Sequence, residues 1–267
     1  MKKFLFIIII FSFTSSIYAL ELKGKFYQGN LIVGKTEPKT RVFIDRKEVK
    51  VSSQGFFVFG LRKDRKNDVS IEVKKDGQSK KLNKKVYKKK YLIQKIDGLP
   101  KKLVTPPKEV YERIKNDNKL IIKARSIDSD LEYFSNKFKV PVDNSIITGV
   151  YGSQRILNGI PKSPHYGLDF AANEGTEIKA MLDGTTTLAE SDLFYTGGTL
   201  IFDHGHGIST LYMHMDKIFV KMGQKVKQGE IIGTVGSTGR ATGAHLDIRL
   251  NWFDVRLDPA TALDIKK

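Results

Sequence analysis

The chain has 267 residues, 28% charged and 40% hydrophobic, a balance typical of globular proteins that excludes a disordered or collagen-like chain. The absence of cysteine excludes disulfides, iron–sulfur clusters and thiol nucleophiles, so any metal must be held by His, Asp or Glu. The formal charge of +17 arises in the first half, because residues 1–140 hold 34 basic and 15 acidic residues (+19) whereas residues 141–267 hold 12 and 14 (−2). All five histidines lie in the second half, so the sequence predicts two modules with different tasks.

The N-terminal segment has the three-part pattern of a secretory signal peptide. Lys2 and Lys3 precede an apolar run over residues 4–13, and small polar residues and Ala19 follow it. The run is shorter than the about 20 apolar residues that span a membrane. We therefore expect a signal peptide over residues 1–19, cleaved after Ala19, in preference to an uncleaved anchor. The mature protein is then periplasmic or secreted, with no stable membrane span.

Short β-prone runs separated by turn residues follow over residues 20–105. Residues 42–44 and 56–59 are apolar, residues 69–73 alternate strictly, and Gly55 and Gly77 lie in turns. This spacing predicts a small antiparallel, immunoglobulin-like β-sandwich. The segment contains neither His nor Cys and offers no catalytic constellation.

Seven lysines fall between Lys80 and Lys90. They can be interpreted as a surface that attaches to an anionic envelope polymer, or as a solvated strand face. The second interpretation is favoured, because such runs are common and this one has only Tyr87 and Tyr91 as aromatic neighbours.

A helical linker is predicted over residues 106–140. Thr105 and the two prolines after it are suited to the start of a helix, and apolar residues recur at helical spacing from Val110 to Ala124. We expect a connecting helix over residues 108–126.

Residues 141–267 again read as β structure, now with glycine-rich turns. Residues 199–202 and 208–212 are two strands joined by the polar connection 203–207. The glycines at 233–243 lack the Gly-Lys-Ser/Thr ending of a phosphate loop. The predicted fold is therefore mostly β, ending in a twisted antiparallel β-sheet domain.

Three short pieces of this second module carry side chains that can bind a metal. His165 and Asp169 are four residues apart and share a face in an extended segment, and His245 and Asp247 are two apart and do the same. His214 ends a predicted strand. Together, without cysteine, these residues suit a mononuclear zinc site with an open coordination position.

The pieces His165-x-x-x-Asp169, Tyr212-x-His214 and Gly243-Ala244-His245-x-Asp247 resemble the zinc motifs of the lysostaphin/LytM-type metalloendopeptidases, the twenty-third metallopeptidase family. The resemblance covers about residues 149–263. It implies one Zn²⁺ per chain and peptidoglycan as the substrate, cut in its stem or cross-bridge peptides.

The resemblance also implies roles for these residues. His165 and Asp169 are metal ligands, and His214 and His245 form the catalytic pair, one accepting the proton of the attacking water and the other donating to the oxyanion. The family's third ligand is a histidine, whereas this chain has Asp247, which can bind zinc at about the same distance. An alternative is that His245 ligates and Asp247 orients it.

Other residues of this module receive weaker assignments. His204 and His206 are interpreted as histidines of a hairpin loop rather than ligands. Arg155 and Asn158 are candidates for the border of the substrate groove. The tail from Asn251 to Pro259 is expected to pack and close the sheet.

Two functions remain open at this point. The first is a zinc-dependent peptidoglycan endopeptidase. The alternative is a catalytically impaired envelope factor of the same fold, which binds peptidoglycan or activates a separate cell-wall hydrolase, with divisome or envelope proteins as further partners. The enzyme is favoured because a retired site usually loses several ligands, whereas here one competent ligand replaces another. A nucleic-acid binder is not expected, because the second half is acidic and the signal peptide directs the chain outside the cytoplasm.

Overall fold

The computed structural model describes residues 19–98 and 104–263. The predicted signal peptide lies outside the described residues apart from Ala19. The described chain is mostly β, as predicted. Its strands are β1 (Glu21–Lys23), β2 (Leu31–Lys35), β3 (Arg41–Ile44), β4 (Lys47–Val49), β5 (Phe56–Gly60), β6 (Val69–Lys75), β7 (Gln78–Lys84), β8 (Ile93–Ile96), β9 (Ile146–Gly149), β10 (Gln154–Leu157), β11 (Ile160–Pro161), β12 (Leu168–Ala171), β13 (Glu177–Lys179), β14 (Gly184–Leu193), β15 (Gly197–Gly205), β16 (Ile208–Ile218), β17 (Lys225–Val226), β18 (Ile231–Val235), β19 (His245–Trp252) and β20 (Val255–Leu257). The helices are α1 (Tyr111–Arg125) and α2 (Pro259–Ala262), with single 3₁₀ turns at Lys108–Val110 and Tyr133–Ser135.

The first seven strands form two antiparallel sheets, in the orders β1-β2-β5 and β4-β3-β6-β7. The strict alternation over residues 69–73 has the predicted consequence, because Val69, Ile71 and Val73 are buried whereas the two residues between them are half-buried. Ile32 and Phe57 pack with them in one apolar cluster. Burial of these branched and aromatic side chains between the sheets stabilises this part of the chain.

The lysine run divides between an edge strand and the segment that follows it. Lys80, Lys81 and Lys84 lie on β7, which is the edge of its sheet. Most of the run is exposed, and charged side chains at an edge discourage pairing with another chain. Lys89 departs from the interpretation as a solvated face, because its Nζ donates to Oδ2 of Asp258, a carboxylate without solvent exposure, at 2.7 Å.

Helix α1 lies against the C-terminal module. Ala124 is buried and Ile121 half-buried in an apolar cluster that also contains Leu188 and Leu211. Asp117 Oδ2 accepts a hydrogen bond from the backbone N–H of Phe194 at 2.8 Å. The predicted connecting helix is therefore packed on strands β14 and β15. Within residues 19–98 and 104–263, the helices lack the length and apolarity needed to cross a membrane.

The C-terminal module is built on a ten-stranded sheet whose main path runs β17-β14-β15-β16-β19-β12-β9. Leu168, Leu246 and Ile248 point into its core and are almost fully buried. Strand β19 lies between β16 and β12, so residues of the three strands meet on the opposite face of the sheet. This arrangement brings the three predicted metal-binding pieces together.

The two modules share a hydrophobic core and one sheet. Leu31 and Val58 of the N-terminal module belong to the same cluster as Val255 and Leu257 of the C-terminal one. Strand β8 pairs in parallel with β10, in register from Ile93↔Gln154 to Ile96↔Leu157. This parallel pair differs from the antiparallel pairing expected throughout, because a strand that arrives from a distant module is free of the direction that a hairpin imposes.

The pair between Lys89 and Asp258 supports this contact, and its loss is expected to destabilise the protein. Replacement Lys89→Met removes the ammonium that faces a buried carboxylate. We expect the free energy of unfolding to fall by about 2–3 kcal/mol, less than for a fully buried pair because Lys89 is partly exposed. Denaturant unfolding measures the change. The exposed neighbour in Lys88→Met serves as the control and should change stability by less than about 0.5 kcal/mol; equal effects would contradict the argument.

Candidate metal centre

Three buried side chains converge on one point between strands β12 and β19. Asp169 of β12 and Asp247 of β19 are direct antiparallel partners, so their side chains stand on the same face. His165 precedes β12, and its backbone is fixed by hydrogen bonds with Gly152 and Ser153. One ligand atom from each of His165, Asp169 and Asp247 lies within 4.8 Å of the other two. The i, i+4 pair His165 and Asp169 is thus brought next to Asp247 of the i, i+2 pair on the opposing strand, and these three residues form one group.

Polar atoms of this group are buried and lack hydrogen bonds within the described chain. They are both ring nitrogens of His165, of which one can face an ion, Oδ1 of Asp169 and Oδ1 of Asp247. His165 Nε2 and Asp169 Oδ1 are 3.0 Å apart but do not form a hydrogen bond. Two ligands of a tetrahedral ion with bonds of about 2.0–2.1 Å lie about 3.3 Å apart. Because buried polar groups are otherwise almost always paired, the donor set fits a bound divalent cation.

Each carboxylate uses its second oxygen for an arginine. Asp169 Oδ2 accepts from Arg155 Nη2 at 3.2 Å, and Asp247 Oδ2 accepts from Arg249 Nη2 at 3.0 Å. Burial would raise the pKa of Asp247, but the charge and hydrogen bond of Arg249 hold that pKa below its usual range. Arg249 therefore keeps the Asp247 carboxylate ionised, and the two arginine contacts leave Oδ1 of each carboxylate without a hydrogen-bond partner in the described chain.

Two glycines leave room for the carboxylates. A Cβ at Gly167 would overlap Oδ1 of Asp247, and a Cβ at Gly149 would overlap Oδ2 of Asp169. Both glycines have φ values that other residues adopt, so the restriction is space rather than backbone conformation. The site therefore requires a residue without a side chain at both positions.

This restriction gives a prediction. Gly167→Ala is expected to displace the Asp247 carboxylate and to lower metal affinity at least tenfold, because the new methyl group has Asp247 on one side and Ile248 O at 2.8 Å on another. Metal content after dialysis measures the effect. Gly243→Ala, at a position where a Cβ meets nothing within 4 Å, is the matched control and should bind as the unaltered chain does. Equal metal content in the two variants would contradict the packing argument.

A bulge in strand β16 sets the direction of His214. Met213 pairs with Asp247 and Met215 with Gly198, while His214 between them has φ +64° and donates its N–H to Thr196 O at 2.8 Å. A left-handed φ in a strand is uncommon for a residue other than glycine and is concentrated at functional sites. The bulge aims the imidazole along the face that carries Asp247.

The rings of His214 and His245 lie side by side, with centroids 4.8 Å apart. His214 Nδ1 bonds to Thr238 O and His245 Nδ1 to Gly243 O, each at 2.8 Å. A carbonyl oxygen only accepts, so Nδ1 carries a proton in both rings, and whenever such a ring is neutral its Nε2 carries the lone pair. Burial lowers the pKa of His214 to about 4, which Asp247 opposes and His245 reinforces. At neutral pH His214 is therefore uncharged and able to accept a proton.

The other histidines of the module lie elsewhere. His204 is within β15 rather than in the connecting loop. Its two ring nitrogens contact Asp183 O and Thr210 Oγ1, both at 2.7 Å, and burial lowers its pKa to about 4. His206 lies in the hairpin turn with φ +49° and packs on Phe134. His204 is held by hydrogen bonds and His206 by ring packing, and neither belongs to the three-residue metal group of the described chain.

A cavity of about 160 Å³ opens beside the metal group. His214 and Asp247 line it, and Asn118 and Ile121 of helix α1 form its opposite wall. The predicted groove residue Arg155 also lines it, whereas Asn158 is exposed in the turn between β10 and β11. Sequence reasoning did not assign three arginines of this lining to the groove: Arg240, Arg249 and Arg256. Their only sequence signal was that Arg249 follows Asp247 by two residues and so shares its face.

The chain matches known proteins over the module that carries this site. Residues 163–259 match the model of Peptidase family M23. The fold is similar to the crystal structure of a Pseudomonas aeruginosa protein assigned to peptidase M23, with a TM-score of 0.66, 30% identity, and coverage of 90% of this chain and 95% of that one.

Two curated relatives are similar over shorter stretches. The peptidoglycan DD-endopeptidase ShyA of Vibrio cholerae serotype O1 is 38% identical over 114 residues, which are 42% of this chain and 26% of ShyA. The DD-carboxypeptidase/endopeptidase Mpg of Neisseria meningitidis serogroup B is 42% identical over 89 residues, 33% of this chain and 20% of Mpg. The chain thus spans about a quarter or less of the curated relatives that it matches.

Proposed function

The chain belongs to peptidase family M23, and from this membership we propose that it is a zinc-dependent metalloendopeptidase that acts on peptidoglycan outside the cytoplasm. One observation carries the proposal. Buried ligand atoms of His165, Asp169 and Asp247 converge without hydrogen bonds, next to a pair of imidazoles. The relatives that act on peptidoglycan indicate the substrate class. The predicted signal peptide is the basis for the proposed periplasmic or secreted location.

His165, Asp169 and Asp247 would hold the ion. Three protein ligands are the number typical of a catalytic zinc site, in which a fourth position stays open. Asp247 is favoured over His245 as the third ligand, because its Oδ1 has no other partner and one of its carboxylate oxygens lies within 4.8 Å of ligand atoms of His165 and Asp169, whereas His245 is not in that group of the described chain. When bound, zinc supplies Lewis-acid polarisation of a peptide carbonyl and lowers the pKa of a water molecule.

The two imidazoles are assigned to proton transfer. His214 Nε2 has the free lone pair, and the bond from Nδ1 to Thr238 O fixes the ring, so His214 accepts the proton of the attacking water. The nearby Asp247 carboxylate favours the imidazolium that results. The proton that His214 takes from the water then passes to the leaving amine, and His245, beside it, donates a hydrogen bond from Nε2 to the developing oxyanion when that nitrogen also carries a proton. No covalent intermediate with the protein is required.

Digestion of purified peptidoglycan tests the proposal. The full chain, loaded with zinc, is expected to release muropeptides of reduced mass with one new amine terminus per cut, and metal analysis should find about one zinc per chain. Asp169→Ala should lose both properties, because it removes a charged ligand.

A different result would favour the alternative envelope factor. Zinc bound at about one per chain, together with no new amine termini, would contradict the enzyme. The measurement would then be the activity of a separate cell-wall hydrolase with and without this protein.

A further inference from the structure

The cavity beside the metal group is rich in arginine. Arg155 of β10, Arg249 of β19, Arg256 of β20 and Arg240 of the loop before β19 all line it, although Arg155 lies far from the other three in the sequence. The only carboxylate in the same lining belongs to Asp247, and Asp169 pairs with Arg155 behind it. Both carboxylates are assigned to the metal. The lining therefore holds more positive charge than the metal ligands require.

In the absence of an anion, this concentration of positive charge raises the free energy of the folded protein. Burial, reinforced by the charge of Arg249, lowers the pKa of Arg256 to about 10. Burial also lowers the pKa of Arg240, with Arg155 and Arg249 adding to the effect. Guanidinium groups that disfavour one another in a partly dehydrated site are stabilised by a bound anion.

The guanidinium groups are held in ways that suit a planar acceptor. The Arg240 guanidinium lies over the Tyr195 ring at 4.4 Å, and that of Arg256 lies over Tyr166 at 5.4 Å. Stacking engages the face of a guanidinium, while its N–H donors lie in the plane. The Nε donors of Arg155 and Arg249 are buried and have no hydrogen-bond acceptor in the described chain. Donors of this kind match a carboxylate with two parallel hydrogen bonds.

The size of the cavity limits what it can take. Its 160 Å³ corresponds to roughly five water molecules at about 30 Å³ each, or to the end of one small residue. Because His214 and Asp247 line the same space, a group bound there lies next to the bond that would be cut.

We propose that these arginines form a subsite for a free carboxylate of the substrate, carried within one residue of the scissile peptide bond. The inference rests on the proposed function. The carboxylate is either the C-terminal one of a stem peptide or a side-chain carboxylate of a diacid residue. In both cases amidation removes the negative charge that the subsite recognises.

Binding to the metal-free full chain tests the subsite without hydrolysis. Calorimetry would compare two acid–amide pairs. The first pair is the dipeptide acetyl-D-Ala-D-Ala and its C-terminal amide. The second pair is a C-terminally blocked peptide that carries a free diacid side chain and the same peptide with that side chain amidated. We expect one acid, or both, to bind about tenfold or more tightly than its amide. The pair that shows the difference identifies the source of the carboxylate. Equal binding of acid and amide in both pairs, or no binding, would overturn the inference.

Variants of two arginines test whether the preference for the acid comes from the cavity or from the overall positive charge of the protein. Arg240→Gln removes a guanidinium that lines the cavity and should reduce the preference for the acid to about twofold, while Arg240→Lys should keep part of it. Arg62→Gln removes an exposed arginine that pairs with Asp254 and is the matched control. An equal loss with Arg62→Gln would overturn the inference.

Hydrolysis by the zinc-loaded chain distinguishes a failure of the proposed function from a failure of the carboxylate subsite. Equal cleavage of an acid and its amide would retain the proposed function and reject the subsite. Selective binding of the acid without cleavage of peptidoglycan would retain the subsite and reject the proposed function.

Discussion

Asp247→Ala is expected to abolish zinc binding and, with it, peptidoglycan hydrolysis. The substitution removes one of the three proposed protein ligands and leaves the Arg249 guanidinium without the carboxylate it contacts at 3.0 Å. Loss of a group that merely supports a ligand costs about 10–100-fold in metal affinity, so loss of the ligand itself should exceed that range. Metal analysis after dialysis and the digestion assay measure the two effects together.

Two variants define the cause of this loss. Asp247→Asn keeps the size of the side chain but removes its charge, and is expected to bind zinc more weakly than the unaltered chain but more tightly than Asp247→Ala. Asp254→Ala removes an exposed carboxylate of the same module and should change neither property. Retention of one zinc per chain in Asp247→Ala would exclude Asp247 as a ligand and would favour His245 in its place.

His214→Asn is expected to lower kcat/KM by about 10²–10⁴-fold while zinc stays bound, because it removes the proton acceptor but no ligand. Asparagine is chosen because His214 has φ +64°, a conformation that asparagine adopts more readily than alanine does. The backbone of the bulge is thereby retained, so that loss of activity reports on the imidazole.

The chain contains a matched control for this substitution. His206 also has a positive φ, +49°, and lies in the same module, in a hairpin turn. His206→Asn is expected to change kcat/KM by less than about threefold, since it lies outside the metal group. If the two variants lost activity equally, the effect would be one of folding, and the assignment of His214 to proton transfer would be wrong.

The ligand face could be predicted from the sequence because it follows from local periodicity. In an extended chain Asp169 and Leu168 point to opposite faces, as do Asp247 and Leu246, and the two leucines are indeed buried in the core. The predicted β-sandwich, connecting helix and β-sheet domain depend on the same local patterns of alternation and turn residues.

The features that the sequence did not predict depend on long-range contacts. The bulge at His214 arises from pairing with Thr196 and with β19, and no residue near His214 signals it. Arg240 lies in the loop before β19 and Arg256 on β20, so nothing in their spacing connects them. Lys89 was indistinguishable from the other lysines of its run, because its buried partner, Asp258, is 169 residues away.

The apolar cluster that joins Leu31 and Val58 to Val255 and Leu257 has a consequence for the order in which the chain acquires its structure. Translation proceeds from the N-terminus, so the first module, which ends near residue 105, is made about 150 residues before the strand that covers it. Until that strand has been made, the apolar patch of the N-terminal sheets that contains Leu31 and Val58 is exposed to solvent and can bind other chains. Native closure must therefore be a late event, and a holding chaperone would be most useful during that interval.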